Sequence, residues 1–190
     1  GKTTFIQIAL QAILPHADLG DRKIRETLSL DGTPCHVAIE WIINEVPRRY
    51  ALTCVTLFLN NGKLDSYKYV YEYGHNDENS IENIPFVKGT IDGKERPASK
   101  EEMGDYYQYM CRENINSKIF PTIKAYHKYI EENFKIIPKE WRRIGIINGE
   151  EGDVDEFFEG CKSTTNLVDK LLIPTVEEAM ACNGAEDFAD

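Results

Sequence analysis

Apolar residues at positions 5, 6, 9, 10, 13 and 14 recur with the period of a helix that buries one face, so the run after Gly1-Lys2-Thr3-Thr4 predicts a helix stopping near Pro15. The period is lost over residues 15–34. There Gly20, Asp21, Asp31, Gly32 and Pro34 surround a short basic stretch, Arg22-Lys23-Ile24-Arg25, which predicts a long surface connection with one helical turn. Cys35–Ile43, Tyr50–Leu59 and Ser66–Tyr73 are rich in β-branched and aromatic residues, and turn-forming stretches at Glu45–Arg49 and Asn60-Asn61-Gly62 separate them. Residues 35–73 therefore predict an antiparallel meander. Tyr67, Tyr69, Tyr71 and Tyr73 fall on one face of the third strand, a pattern that predicts packing beneath another layer rather than stacking on bases.

The second half is less regular. Polar turns over residues 74–99 enclose Ile84-Pro85-Phe86-Val87 and Gly89-Thr90-Ile91-Asp92-Gly93-Lys94, the latter predicted as a small hairpin or edge ribbon. Ser99 is placed to cap a helix reaching Asn114, with Glu101 and Glu102 at its positive end. A further helix is predicted from Ile119 to Asn133, with Pro121 in its first turn. Ile144 to Gly149 predicts a short strand, and Glu150 to Glu159 an acidic loop whose six carboxylates form either a solvated face or, within it, a catalytic pair. Ser163-Thr164-Thr165 predicts a cap for a helix over Asn166–Leu172, Pro174 permits another near residue 175, and Ala179–Asp190 is a tail of small and acidic residues.

Composition narrows the function classes. With 42% hydrophobic residues in 190, the chain can bury a core, as one domain or two small ones. Its net charge of −10 argues against a uniformly basic nucleic-acid module and leaves room for a local basic patch. No apolar run approaches the roughly 18 to 20 residues of a spanning helix, and no signal-peptide pattern opens the chain, so a cytoplasmic protein with no membrane partner is expected. Five scattered cysteines and four histidines form neither a zinc-ligand spacing nor a redox pair, which favours free thiols in a reducing compartment.

The opening residues carry the most specific chemistry. Gly1-Lys2-Thr3 at the head of a helix matches the second half of the phosphate-binding loop G-x-x-x-x-G-K-[ST]. In that role Gly1 lets the backbone approach phosphate, Lys2 reaches the β- and γ-phosphates, Thr3 offers its hydroxyl to Mg²⁺, and Thr4 bonds the α-phosphate. The same residues also make an ordinary helix cap. Arg22, Lys23, Arg25, Arg48 and Arg49 are candidates for a DNA-backbone surface beside the strands, or else solubilising charge.

Gly1 to Gln7, the antiparallel strands after a basic loop, and the late segment Ile146-Ile147-Asn148-Gly149-Glu150-Glu151-Gly152-Asp153-Val154-Asp155-Glu156-Phe157-Phe158 together resemble the N-terminal lobe of an SMC-like ABC ATPase head, of the kind found in bacterial defence systems. The resemblance implies an α/β or α+β fold, a P-loop NTPase half-domain with an antiparallel β meander and flanking helices. Residues 1–178 would form the head lobe, and residues 179–190 would lead toward a coiled coil. It further implies ATP and Mg²⁺ as cofactors. The expected partners are the C-terminal lobe, a second head, double-stranded DNA and accessory subunits. A glutamine after a central strand commonly assists magnesium and the attacking water in this family, and the matching position is Asn148, whose shorter amide needs a bridging water or a shifted loop. Read from the residues alone, Asn148-Gly149 is equally a turn. The Walker B acidic pair and the signature motif belong to the C-terminal lobe, so this chain by itself should hydrolyse ATP poorly or not at all. The alternative is a non-catalytic structural or protein-interaction α+β domain.

Overall fold

A computed structural model of the chain describes residues 2–151, 167–174 and 179–182. The first helix, α1 (Lys2–Leu10), is followed by a connection holding one short helix, α2 (Ile24–Thr27). The meander then runs through β1 (Cys35–Glu45), β2 (Arg48–Asn60) and β3 (Lys63–Gly74). A small hairpin, β4 (Val87–Gly89) and β5 (Glu95–Pro97), precedes α3 (Lys100–Glu113), β6 (Ser117–Ile119), α4 (Ile123–Phe134) and α5 (Pro138–Glu151). Last come β7 (Leu167–Pro174) and β8 (Ala179–Cys182).

Six of the strands form one sheet in the order β6-β3-β2-β1-β7-β8, and every pairing in it is antiparallel, so the class is α+β. Both faces of the sheet are covered. Val37, Ile39 and Trp41 of β1, with Val55 and Leu57 of β2, pack against Ile6, Leu10 and Ile13 of the first segment and against Tyr126, Ile130 and Trp141 of α4 and α5. On the opposite face Ala38, Leu52, Cys54, Tyr69, Tyr71 and Tyr73 meet Ile81, Phe86 and the α3 residues Met103, Tyr107 and Met110. Double burial explains why β2 is apolar almost throughout instead of alternating.

The tyrosine face of β3 packs as its spacing predicts. Tyr69 stacks on Tyr107 at 4.6 Å and Tyr71 on Tyr73 at 5.0 Å, so these rings lie under α3 and within the strand row. Ser99 caps α3 with a full capping box: its hydroxyl accepts from the Glu102 amide, and the Glu102 carboxylate accepts from the Ser99 amide.

Four predicted elements are corrected. The first helix ends at Leu10 rather than near Pro15, because tight turns take over: the amides of Gln11 and Ile13 donate to the carbonyls of Ile8 and Leu10. Ile119 belongs to β6 beside Tyr69, and the helix begins only after Thr122, whose hydroxyl accepts from the Ala125 amide at 3.0 Å. Residues 144–149 are helical, within α5, because Trp141 and Gly145 lie one turn apart on the face that meets α1. Residues 167–172 are strand, since β7 supplies hydrogen bonds to the edge of β1 and sends Leu171 and Ile173 to one core and Leu172 to the other. The predicted tail begins with β8, paired to β7 over Ala179–Cys182. Gly1, the acidic run from residue 152 onward, the Ser163–Thr165 cap, the helix start near residue 175 and residues 183–190 lie outside the described residues.

Candidate functional site

Burial along α1 sets the position of its first turn. Ile6, Gln7, Ala9 and Leu10 are buried, whereas Thr4 and Phe5 are only half-buried, so burial deepens from Thr4 into the body of the helix. The connection after α1 folds back over this end. Arg22 Nη1 donates to Thr4 Oγ1 at 2.9 Å, and Gln7 Nε2 donates to the Arg22 carbonyl at 2.7 Å. Thr27 Oγ1 donates to Gln7 Oε1 at 3.0 Å, while Asp18 Oδ1 accepts from the Ile24 amide at 2.9 Å. The basic loop is thereby fixed against the Thr4 turn by a fully buried amide, and its guanidinium adds positive charge where the helix dipole is also positive.

Gln11, one turn further along, performs the matching task at the other end. Its Nε2 donates to the Ala17 carbonyl at 2.9 Å and its Oε1 accepts from the His16 amide at 2.8 Å, holding His16 with a left-handed φ of 70°. His16 Nε2 meets Ser66 Oγ at 2.9 Å, and Lys68 Nζ donates to the Ser66 carbonyl and hydroxyl at 2.9 and 3.2 Å. Burial, then the Lys68 charge, lowers the His16 pKa, and burial lowers that of Lys68.

Of the predicted phosphate-binding residues, Lys2, Thr3 and Thr4 all lie in the first turn of α1. Arg22 joins them through Thr4, and Lys23 and Arg25 flank it on the exposed surface. Arg48 and Arg49 instead stand at the start of β2, where Arg49 lies 4.0 Å from Glu72; among the described residues no contact joins the two basic groups. Asn148 lies inside α5, neither at the end of a strand nor in an Asn-Gly turn. The contact between these helices is made at Gly145 against Leu10, seven residues and so about 10 Å along α1 from Thr3.

Gln7 and Gln11 were not singled out by the sequence. The available signal was two amides four residues apart in the otherwise apolar run from Phe5 to Leu14, each fully buried once folded. Glu40, set among Val37, Ala38, Ile39, Trp41 and Ile42, is a further buried polar residue that sequence patterning passed over.

Cys35, Cys54 and Cys111 are free thiols, and burial raises the pKa of Cys35 and Cys54 to about 12. Among the described residues no group of three or more His, Cys, Asp or Glu side chains is arranged to hold a metal ion, and no helix is long and apolar enough to cross a membrane. Compared with protein-family models, curated proteins and solved structures, the chain matches none.

Proposed function

We propose that this chain is the ATP-binding half of an SMC-like coiled-coil ATPase head that acts on DNA, with the P-loop NTPase half-domain fold which that implies. The supporting observation is that Lys2, Thr3 and Thr4 open a helix whose body, at Ile6, Gln7, Ala9 and Leu10, is buried against an antiparallel sheet while Thr4 is only half-buried. A helix start of this kind turns a positive dipole end toward phosphate oxygens. Lys2 supplies charge to the β- and γ-phosphates, Thr4 sits at the α-phosphate, and Gly1 keeps the turn free of a side chain. Thr3 holds Mg²⁺, which offsets phosphate charge when bound. The buried amide of Gln7 keeps Arg22 beside this turn. Asn148 has no assigned part in this reading, because its magnesium role rested on a strand end and the residue lies in a helix.

In this reading the lobe binds nucleotide and relies on a C-terminal lobe and a second head for hydrolysis. Closure of two heads on ATP, and their release after hydrolysis, would move attached arms along duplex DNA. The test is calorimetry with ATP and Mg²⁺ on the chain extended through a complete phosphate-binding loop and joined to its C-terminal lobe. Binding that disappears in Lys2→Ala supports the proposal. Equal affinity in wild type and Lys2→Ala overturns it and favours a non-catalytic interaction domain.

A further inference from the structure

Glu40 lies in the middle of β1 and is only 2% exposed. Strand β7 runs along that side of β1 with Leu171 opposite Ile39, Lys170 opposite Glu40 and Val168 opposite Trp41. Asp169 is therefore the extra residue of a β-bulge, the irregularity by which a sheet turns a side chain out of register. With Leu171 and Val168 directed to the core that holds Ile39 and Trp41, the bulge sets the Asp169 carboxyl beside that of Glu40, close enough for the one to act on the other. Two carboxyl groups can share a hydrogen bond only with a proton between them, since ionised carboxylates are acceptors alone. The Tyr73 hydroxyl donates to Glu40 Oε2 from β3 and accepts from the Ile81 amide at 3.2 Å.

Other titratable groups around the pair are few. Tyr50 faces it from β2, with Arg48 acting on that tyrosine, and Asp77 acts on Tyr73. Lys170, beside Asp169 on β7, pairs with Glu82 of the short turn Ile81–Asn83. Burial first, and the neighbouring Asp169 carboxyl second, push Glu40 up to about 7, against the opposing effects of Tyr73 and Lys170.

We propose that the Glu40–Asp169 pair is a proton-operated clasp holding β7 and β8 on the sheet, closed while Glu40 keeps its proton and loosened when it ionises. Topology gives the clasp its leverage: β7 is hydrogen-bonded to β1 on one side and to β8 on the other, so both strands join the sheet through β1 alone. Loosening at Glu40 frees this edge and leaves the β1–β2–β3 meander in place. The inference is independent of nucleotide binding.

The test is amide hydrogen exchange on the 190-residue chain at pH 6 and pH 8, corrected for intrinsic exchange rates. A carboxyl that titrates near 7 when closed and near 4.5 when open makes β7 opening rise about tenfold between those pH values, with the β2–β3 amides unaffected. Glu40→Gln abolishes the rise, and Asp169→Asn flattens it, the second variant carrying the test should the first lose β2–β3 protection. Absence of the rise in wild type, an equal rise in β2–β3, or an unchanged rise in a folded variant overturns the clasp.

Discussion

The Arg22 guanidinium donates to the Thr4 hydroxyl at 2.9 Å, tying the basic loop to the turn that carries Lys2, Thr3 and Thr4. Arg22 is exposed, so its removal should change folding stability by no more than about 0.5 kcal/mol. Loss of a charged donor at a phosphate site costs more, about 1.5 kcal/mol or roughly tenfold in affinity. Arg22→Ala should therefore leave the urea midpoint almost unchanged and, on the proposed ATP-binding reading, weaken ATP binding by about that factor. Unchanged affinity would make the Thr4 contact a loop tether and nothing more.

Lys23 and Arg25 are exposed beside Arg22, whereas Arg48 and Arg49 stand at the start of β2. If the loop lies on duplex DNA, Lys23→Glu with Arg25→Glu should reduce the slope of log affinity against log salt by about 2, at roughly 0.9 per phosphate contact. Arg48→Glu with Arg49→Glu then reports on a second, separate patch. Fluorescence anisotropy across a salt series measures both, and an undiminished slope in the first pair removes the loop from the DNA surface.

The meander was legible because β-branched and aromatic runs were bounded by explicit turn residues, and Asn61 and Gly62 do adopt the left-handed conformation that such a turn requires. Ser99 was legible for a similar reason, since capping chemistry is local. The late elements were not. Asn148-Gly149 is a strong turn signal, yet contacts of Trp141 and Gly145 with the rest of the core keep the segment helical. Leu167–Pro174 became a strand because the edge of β1 was available, which no local pattern announces. Within the candidate site, the proposed phosphate-binding residues came from a contiguous motif, whereas the tether from Gln7 to Arg22 spans fifteen positions and exists only in the fold.

Gly145 makes the interface between α5 and α1 possible. A Cβ at this position would collide with Leu10 Cδ1, and Leu10 is itself fixed in the core at 1% exposure. Helix propensity alone favours alanine over glycine by about 1 kcal/mol. Overpacking opposes it by about 1 to 3 kcal/mol, so Gly145→Ala should be destabilising on balance. Thermal unfolding followed by circular dichroism reads the sign directly, and a raised midpoint would show that α5 does not pack on α1 at Leu10.

His36 supplies a pH dependence opposite to that of Glu40. Its Nε2–H donates to the Ala98 carbonyl at 2.9 Å, which leaves Nδ1 to accept from Thr56 Oγ1 at 3.0 Å, and Thr56 in turn accepts from the Tyr107 hydroxyl at 2.8 Å. A proton on Nδ1 would break this chain, and burial accordingly lowers the His36 pKa from 6.5 to about 4. Between those values the unfolded chain binds a proton that the folded chain excludes, so stability falls as pH drops through the window, by up to about 3 kcal/mol. Glu40 acts the other way: folded, it keeps a proton between about 4.5 and about 7 that the unfolded chain has lost, and stability falls as pH rises. The two slopes offset each other in the range they share. Urea unfolding from pH 4 to pH 8, followed by the emission of Trp41 and Trp141, should therefore vary little in the wild type between about 5 and 6.5. His36→Gln, which can preserve both hydrogen bonds without titrating, should expose the Glu40 slope, with stability rising toward acid. A variant whose profile stays as flat as that of the wild type over that range, or declines toward acid, would place the proton uptake elsewhere than His36.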